Sequence, residues 1–514
     1  MSLCDFVRRS AKLYPHTPAV DDGRAVWTYA ELEARVARLA GGLRGAGVEP
    51  GDCVAALSKN RAEYVALYFA CARIGAVTVP LNWRLAAGEL AWILEHARPA
   101  VVIAEPEFVA TLGDGPTGAA RYVFDEARSD WLPFEALLGS AAESDPPAPS
   151  DDAPTVRMYT SGTTGRPKGA LLTHTNLQAA TVGWLFDMQL QPATSRFLQV
   201  TPLFHVGGLL MVLSTAAAGA TLLLLPEFEP IAATEALAER GVTHSLMVPA
   251  MLQWILIDPA LTAREFPALE LIAYGAAPMP VAVLKRAFAA FGCAFLQGYG
   301  LTETGGVLLT LRPEDHRWLA DEEPPRHLGA AGRELFGTEV RVVDTEGNDV
   351  APGVVGEIVA RGPNVGPGYA GDPEATERAL RGGWFHTGDL AEVDGQGYVY
   401  VVDRLTDLIL VSGENVYPRE VEEVLLELEG IADAGVIGIP SEHFGEEVLA
   451  FVVPRDRDDA PQARQVIRHC RERLARFKCP TGVEFVDALP RNAAGKLLKR
   501  ELREPFWAGR ERLV

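Results

Sequence analysis

The chain alternates amphipathic helices with short apolar strands, and this alternation narrows the folds open to it. TYAELEARVARLAGGLRGAGV (28–48) sets Leu and Val at helical spacing and closes on Gly. DCVAALSKN (52–60) reads as a strand and turn, and AEYVALYFACARIGAVTVPLN (62–82) as a helix followed by a strand. PAVVIAE (99–105) is another short apolar strand. Strands separated by helices pair in parallel, with the helices covering the sheet, so the class is α/β. With 514 residues the chain is too long for one core, and two or more domains are expected.

The texture changes at Gly337. TEVRVVD, GEIVARG and GYVYVVDR are short strands between D-x-x-G and G-x-x-G turns, which predicts a small β-rich subdomain over about 337–403. Beyond Arg404 the pattern is again mixed. The Pro- and Asp-rich stretch from Ala141 to Pro154 reads as a surface linker. Val206 to Leu225 carries no charge over twenty residues, long enough to span a bilayer. It is rich in Ala and Gly, Gly219 interrupts it, and TLLLLP after the break reads as a buried strand. No integral membrane segment is therefore expected.

The net charge of −21 argues against nucleic-acid or anionic-membrane binding, while leaving room for local cations that hold anionic substrates. The six cysteines form no C-x-x-C pair and read as reduced thiols of a cytoplasmic protein. MSLCDFVRRSAKLYP has no apolar signal-peptide core; Leu3, Phe6, Val7 and Leu13 instead mark an amphipathic first helix.

One segment carries chemistry. YTSGTTGRPKG (159–169) combines hydroxyl donors, three Gly and Lys168. Gly lets backbone N–H groups approach an anion, Ser and Thr add donors, and Lys adds a point charge. This is a phosphate cradle, but not the G-x-x-x-x-G-K-[ST] loop, because here Gly169 and Ala170 follow the Lys. Other segments supply carboxylates and a cation: QGYGLTET (297–304) holds Glu303, WFHTGD (384–389) holds Asp389 after a Gly, and PRNAAGK (490–496) ends in Lys496 on a Gly-containing loop.

These motifs, in this order, resemble those of the adenylate-forming superfamily of acyl-CoA synthetases, luciferases and nonribosomal adenylation domains. The resemblance runs from about Phe6 to Trp507 and is nearest to bacterial fatty-acyl-CoA or aryl-CoA ligases. It implies an N-terminal adenylation domain (1–403) of helix-covered sheets plus the β-rich part, and a small mobile α+β lid (404–514) carrying the catalytic lysine. It also implies ATP, Mg²⁺ and coenzyme A as co-substrate, with a carboxylic acid activated as its adenylate and then passed to a thiol.

Position by position, the resemblance assigns Thr160, Ser161, Gly162, Thr163, Thr164 and Lys168 to the β- and γ-phosphates. Thr302 falls to the α-phosphate, Glu303 to the metal and Lys496 to adenylation. Gly275, Ala276 and Ala277, with Gln297, Gly298 and Tyr299, resemble the walls of the adenine slot; Asp389 and Arg404 resemble the ribose ligands. His205, in TPLFHVGG, resembles the gate between the ATP and acyl sites. Trp184, Phe204, Gly207, Met211, Tyr274 and Val307 are candidate acyl-pocket lining, each also compatible with ordinary core.

The chain departs from its relatives at three places. Thr406 stands at the hinge, where many carry Lys or Asp; Ser412 stands where many have a second Gly, leaving Gly413 for pantetheine; and Phe444 replaces a frequent Trp against the CoA adenine. The acid stays open among fatty, aryl and unusual acids. The acceptor stays open between CoA, a carrier-protein thiol in trans and an amine. A non-catalytic nucleotide- or acyl-binding regulator is the remaining alternative, and a homodimer is a further open expectation.

Overall fold

A computed structural model describes the chain except residues 1, 114–117, 126–129, 139–148, 161–166, 318–322, 413, 442, 458, 492–496 and 509–514. Most of the linker expected over 141–154 therefore lies outside the described residues. The chain divides into two compact units, 1–340 with 360–385, and 341–359 with 386–514.

The first unit is built on two sheets. One has nine strands, in the order Arg333–Glu334, Leu309–Leu311, Ala294–Tyr299, Leu271–Gly275, His244–Met247, Arg196–Gln199, Thr221–Leu224, Pro18–Asp21, Val26–Thr28. The other has eight, in the order Gly368–Tyr369, Lys168–Thr173, Pro154–Thr160, Val77–Leu81, Cys53–Leu57, Val101–Ala104, Ala120–Val123, Leu132–Pro133. The central strands of both are parallel, as helical crossovers require. The main core joins one face of each sheet (Val54, Ile103, Phe197, Leu222, Leu296) to the buried sides of the helices Cys4–Leu13, Tyr29–Gly45, Ala62–Ile74, His174–Met188 and Val206–Ala218. Those helices are thus sandwiched between the sheets. The opposite face of the nine-stranded sheet buries Leu198, Met247, Ile272 and Tyr274 under the helices Pro230–Glu239, Pro249–Ile257 and Val281–Phe291. The alternation follows from the period of two along a strand.

Local signals set the element ends. Thr28 caps the helix Tyr29–Gly45: its hydroxyl accepts from the Glu31 N–H at 3.3 Å, and its own N–H donates to the Glu31 carboxylate at 2.8 Å. Thr173 and Asn176 form the same reciprocal pair at the start of His174–Met188. The uncharged stretch 206–225 is the helix Val206–Ala218, a left-handed Gly219 at φ 76°, and the strand Thr221–Leu224. Among the described residues, no helix is long and apolar enough to cross a membrane.

The second unit holds the β-rich segment, a four-stranded sheet in the order Glu339–Val343, Gly356–Arg361, Phe385–Val393, Val399–Arg404. It also holds a five-stranded sheet around the hairpin Ile431–Ser441 and Gly445–Pro454, covered by the helices Pro418–Leu426 and Ala463–Arg471. The division differs from a break at 403/404. The β-rich strands pair with one another, not with the two large sheets, so 341–359 and 386–403 group with the C-terminal residues. All six cysteines are free.

Candidate active site

The phosphate-loop strands are antiparallel neighbours, and Thr160 pairs with Lys168 across them. Ser161, Gly162, Thr163 and Thr164 fall outside the described residues, as do Gly413 and Lys496. The first strand of this pair is tied from behind: the Tyr159 hydroxyl lies 2.7 Å from Nδ1 of His96, whose ring stacks on Trp92. Lys168 opens the second strand, its ammonium 5.4 Å from the centre of the Tyr369 ring.

Thr302 and Glu303 lie in a short 3₁₀ turn, Thr302–Thr304, that follows the strand Ala294–Tyr299. Thr304 holds the turn: its hydroxyl accepts from the Leu301 N–H at 3.1 Å and donates to the Leu301 carbonyl at 3.0 Å. Gly305 ends it in the left-handed region, at φ 67°, where a side chain would also press on Ala180. The Glu303 carbonyl accepts from the Gly366 N–H at 2.7 Å, and the Glu303 carboxylate accepts from the Tyr369 hydroxyl at 2.8 Å. Tyr369 thus meets both Lys168 and Glu303. It was missed in the sequence because a Tyr after Pro-Gly reads as turn punctuation.

Gly275 and Gly298 pair on adjacent parallel strands so closely that a Cβ on Gly275 would sit 2.2 Å from the Gly298 carbonyl oxygen. Ala276, just beyond, has φ 65°, unusual for a non-Gly residue. These residues lie at the carboxyl ends of parallel strands, where ligands bind in open α/β sheets. The other side of Gly298 faces Trp184, whose ring atoms would be 2.9 Å from an added Cβ, with Val307 at 3.9 Å. Trp184 is 2% exposed, and its indole Nε1 has no hydrogen-bond partner among the described residues.

His205 is the N-cap residue of Val206–Ala218, its ring 4.6 Å from that of Phe204. Its Nε2 is shielded from solvent and finds no partner among the described residues. Burial, reinforced by the nearby Arg84 charge, pushes its pKa down to about 4, so the ring is neutral near pH 7. Trp184, Met211 and Val307 share one core cluster. Gly207 approaches Leu246, and Val206 lies 3.4 Å from the position of a Cβ on Gly306. Tyr274 does not join them. It packs in the cluster on the far face of the sheet with Ile272 and Phe295, and its hydroxyl lies 2.9 Å from Nε2 of His316. The strand's alternation sends Tyr274 away from the face occupied by Ala273.

In the second unit, Asp389 and Arg404 pair across antiparallel strands, with Nε 3.0 Å from Oδ1. A support not foreseen from the sequence is Glu357, which accepts from the Gly388 N–H at 3.1 Å and lies 2.7 Å from Nδ1 of His386. Ser412 adopts φ 54°, and its N–H donates to the Phe444 carbonyl at 2.7 Å, so the two departures near the expected CoA passage are neighbours. Phe444 is exposed. Thr406 lies in the 3₁₀ turn Leu405–Asp407.

Lys168 at the start of a strand, Glu303 in a turn and, in the second unit, the paired Asp389 and Arg404 are residues that the resemblance assigned to phosphates, metal and ribose. The chain matches the AMP-binding enzyme family over residues 7–370 and the AMP-binding enzyme C-terminal domain over 420–496. It belongs to that family, within its AMP-forming acid–thiol ligases. It is similar to a feruloyl-CoA synthase of Amycolatopsis sp, at 43% identity over 97% of this chain and 98% of that protein. It is 38% identical to a fatty acid–[acyl-carrier-protein] ligase of Streptomyces coeruleorubidus, over 97% of this chain and 95% of the relative. Among solved structures it is similar to O-succinylbenzoate coenzyme A synthetase from Bacillus subtilis in complex with ATP and magnesium ion. The TM-score there is 0.84 at 32% identity, covering 97% of this chain and 98% of that one.

Proposed function

We propose that the chain activates an aromatic carboxylic acid of the arylpropenoic type with ATP and transfers it to coenzyme A. The observation that carries the acid is the Trp184 indole packed against the bare Cα of Gly298 with Val307 beside it, an aromatic side chain against the end of a site strand. The similarity to a feruloyl-CoA synthase supports the same reading. In the first step a carboxylate oxygen of the acid attacks the α-phosphorus, the bond to the bridging oxygen of the β-phosphate breaks, and pyrophosphate leaves. In the second step the thiolate sulfur of CoA attacks the acyl carbon and AMP leaves.

Thr160, Lys168 and the loop between them hold the β- and γ-phosphates. Thr302 donates to the α-phosphate, and Lys496 neutralises its developing charge. Asp389 and Arg404 take the ribose. His205, neutral and with its Nε2 unpartnered among the described residues, separates the phosphate site from the acid and orients the carboxylate. Glu303 suits Mg²⁺: its carboxylate is held by the Tyr369 hydroxyl, and Mg²⁺ is commonly held by one or two carboxylates plus substrate phosphates. When bound there, the ion would offset phosphate charge. Residues 404–514 act as the lid and Thr406 as its pivot.

A second acceptor is favoured by one observation, the similarity to a ligase that loads an acyl carrier protein. A pyrophosphate-release screen over arylpropenoic, fatty and dicarboxylic acids, followed by thioester detection with CoA or with a carrier protein, tests both readings. Highest release with an arylpropenoic acid and a thioester only with CoA is the expected result. A preference for fatty acids, or a thioester only on the carrier, would overturn it.

A further inference from the structure

Tyr369 lies on the edge strand Gly368–Tyr369, which pairs antiparallel with the phosphate-loop strand, Tyr369 opposite Ala170. Two contacts hold its side chain and a third holds its backbone. Its hydroxyl donates to Oε1 of Glu303 at 2.8 Å. Its ring face lies under the Lys168 ammonium, 5.4 Å from centre to nitrogen. Its backbone N–H donates to the Thr376 hydroxyl at 3.0 Å, and that hydroxyl donates in turn to the Asp372 carbonyl at 2.8 Å. Gly368 next to it has φ +117°, and a Cβ there would meet Thr376 at 2.3 Å, so the strand end is held in one conformation. Glu303 lies in the turn that follows a strand of the nine-stranded sheet, Lys168 opens a strand of the eight-stranded one, and one phenol meets both.

We propose that Tyr369 is a positioning residue for the phosphate and metal site. Its hydroxyl, bound to Oε1 of Glu303, would fix the orientation in which that carboxylate meets a cation, while its ring steadies the Lys168 ammonium. This rests on the assignment of Glu303 to Mg²⁺ above. A carboxylate left to rotate would present either oxygen; the hydrogen bond selects one, as outer partners of metal ligands generally do. The ring contact adds a cation–π attraction at a site open to ATP.

Two substitutions separate the two contacts. Tyr369→Phe keeps the ring and removes the hydroxyl; Tyr369→Leu removes both. The measurements are the Mg²⁺ concentration giving half-maximal pyrophosphate release at saturating ATP, and the Kd of ATP with EDTA present and no metal, by calorimetry. Thermal melting confirms that each variant is folded. Tyr369→Phe is expected to raise the Mg²⁺ requirement about tenfold and leave the metal-free ATP Kd as in the parent. Tyr369→Leu should in addition weaken metal-free ATP binding about threefold. An unchanged Mg²⁺ requirement in Tyr369→Phe overturns the proposal, as does an equal change in both measurements. Glu303→Gln is the control for the underlying assignment. If it leaves the Mg²⁺ requirement unchanged, Glu303 is not the metal ligand and the proposal falls with it. If it raises the requirement and Tyr369→Phe does not, only the positioning role fails.

Discussion

The guanidinium of Arg503 donates to the backbone carbonyl of Thr406 at 2.8 Å and pairs with the Asp407 carboxylate at 3.0 Å. One side chain of the C-terminal helix Lys499–Trp507 thus holds two residues of the turn proposed as the pivot. A buried pair supports it from the same helix, with the Lys499 ammonium 2.9 Å from the Glu422 carboxylate. Burial lowers the Lys499 pKa, but Glu422, Asp403 and Asp407 outweigh it and the net shift is upward.

If Thr406 is the pivot, stiffening it and loosening it differ in effect. Proline fixes φ near −65° and resists a dihedral change. Thr406→Pro is expected to leave pyrophosphate release near the parent rate and to slow thioester formation from supplied acyl-adenylate by about tenfold or more, at least ~1.4 kcal/mol of barrier. Arg503→Ala frees the turn and should not produce that split, though it should lower the melting temperature. Thr406→Lys should be tolerated in both steps. Rapid-quench measurement of the two half-reactions checks all three; parent rates for Thr406→Pro in both steps place the pivot elsewhere.

Gly298 lies between Gly275 on the neighbouring strand and the Trp184 ring. A methyl added there points at Trp184, at 2.9 Å. Overpacking of this kind costs about 1–3 kcal/mol. Gly298→Ala should therefore raise KM for a bulky aryl acid well above any change in KM for ATP, which steady-state kinetics with each substrate varied will check. Gly275→Ala should be worse, because the clash is with the Gly298 backbone oxygen at 2.2 Å, which no rotamer relieves. Its expected outcome is insoluble or unfolded protein.

The candidate residues stand out in the sequence because they lie in local strings. The strand ending at Arg404 appears where expected, whereas the strand pair ending at Thr160 and opening at Lys168 and the turn that carries Glu303 were not singled out. The contacts that join these strings were not legible. Tyr369 reaches Glu303 across 66 positions, and Arg503 reaches Thr406 across 97. Tyr274 illustrates the converse. An aromatic residue at the end of a site strand suggested a pocket wall, but side-chain parity along the strand turned it to the other face. The grouping of 341–359 with the C-terminal residues was not legible for a similar reason, since strand pairing within 339–404 is a tertiary choice.

Four histidines give the protein an acid-sensitive stability. Burial pushes the pKa of His174, His205, His244 and His316 down to about 4. Their unfolded value is about 6.5, so below that pH the unfolded chain binds more protons than the folded one. Stability is full above pH 6.5 and falls as the pH drops toward 4, by up to about 1.4 kcal/mol per pH unit for each group. Melting temperature measured from pH 7.5 to 4.5 should decline across that window. His316→Gln should give a shallower decline, and a flat profile in the parent would contradict the burial of these rings.

Ser412 occupies the left-handed region at φ 54°, which costs an L side chain about 1–2 kcal/mol. Ser412→Gly should leave the second unit as stable as the parent or slightly more so. Ser412→Val, β-branched, should destabilise it by roughly 1–2 kcal/mol. Differential scanning calorimetry with the C-terminal transition resolved will rank the three proteins.

The most direct test is a single-turnover reaction followed by chromatography and mass spectrometry: enzyme in excess over ATP, an arylpropenoic acid and Mg²⁺, with CoA withheld and then added. One pyrophosphate per ATP and an enzyme-held acyl-adenylate are expected before CoA, then AMP and acyl-CoA in equal amounts after it. Lys496→Ala should stop the first phase while still converting supplied acyl-adenylate to thioester. ADP and phosphate as products, or pyrophosphate released only once CoA is present, would contradict it.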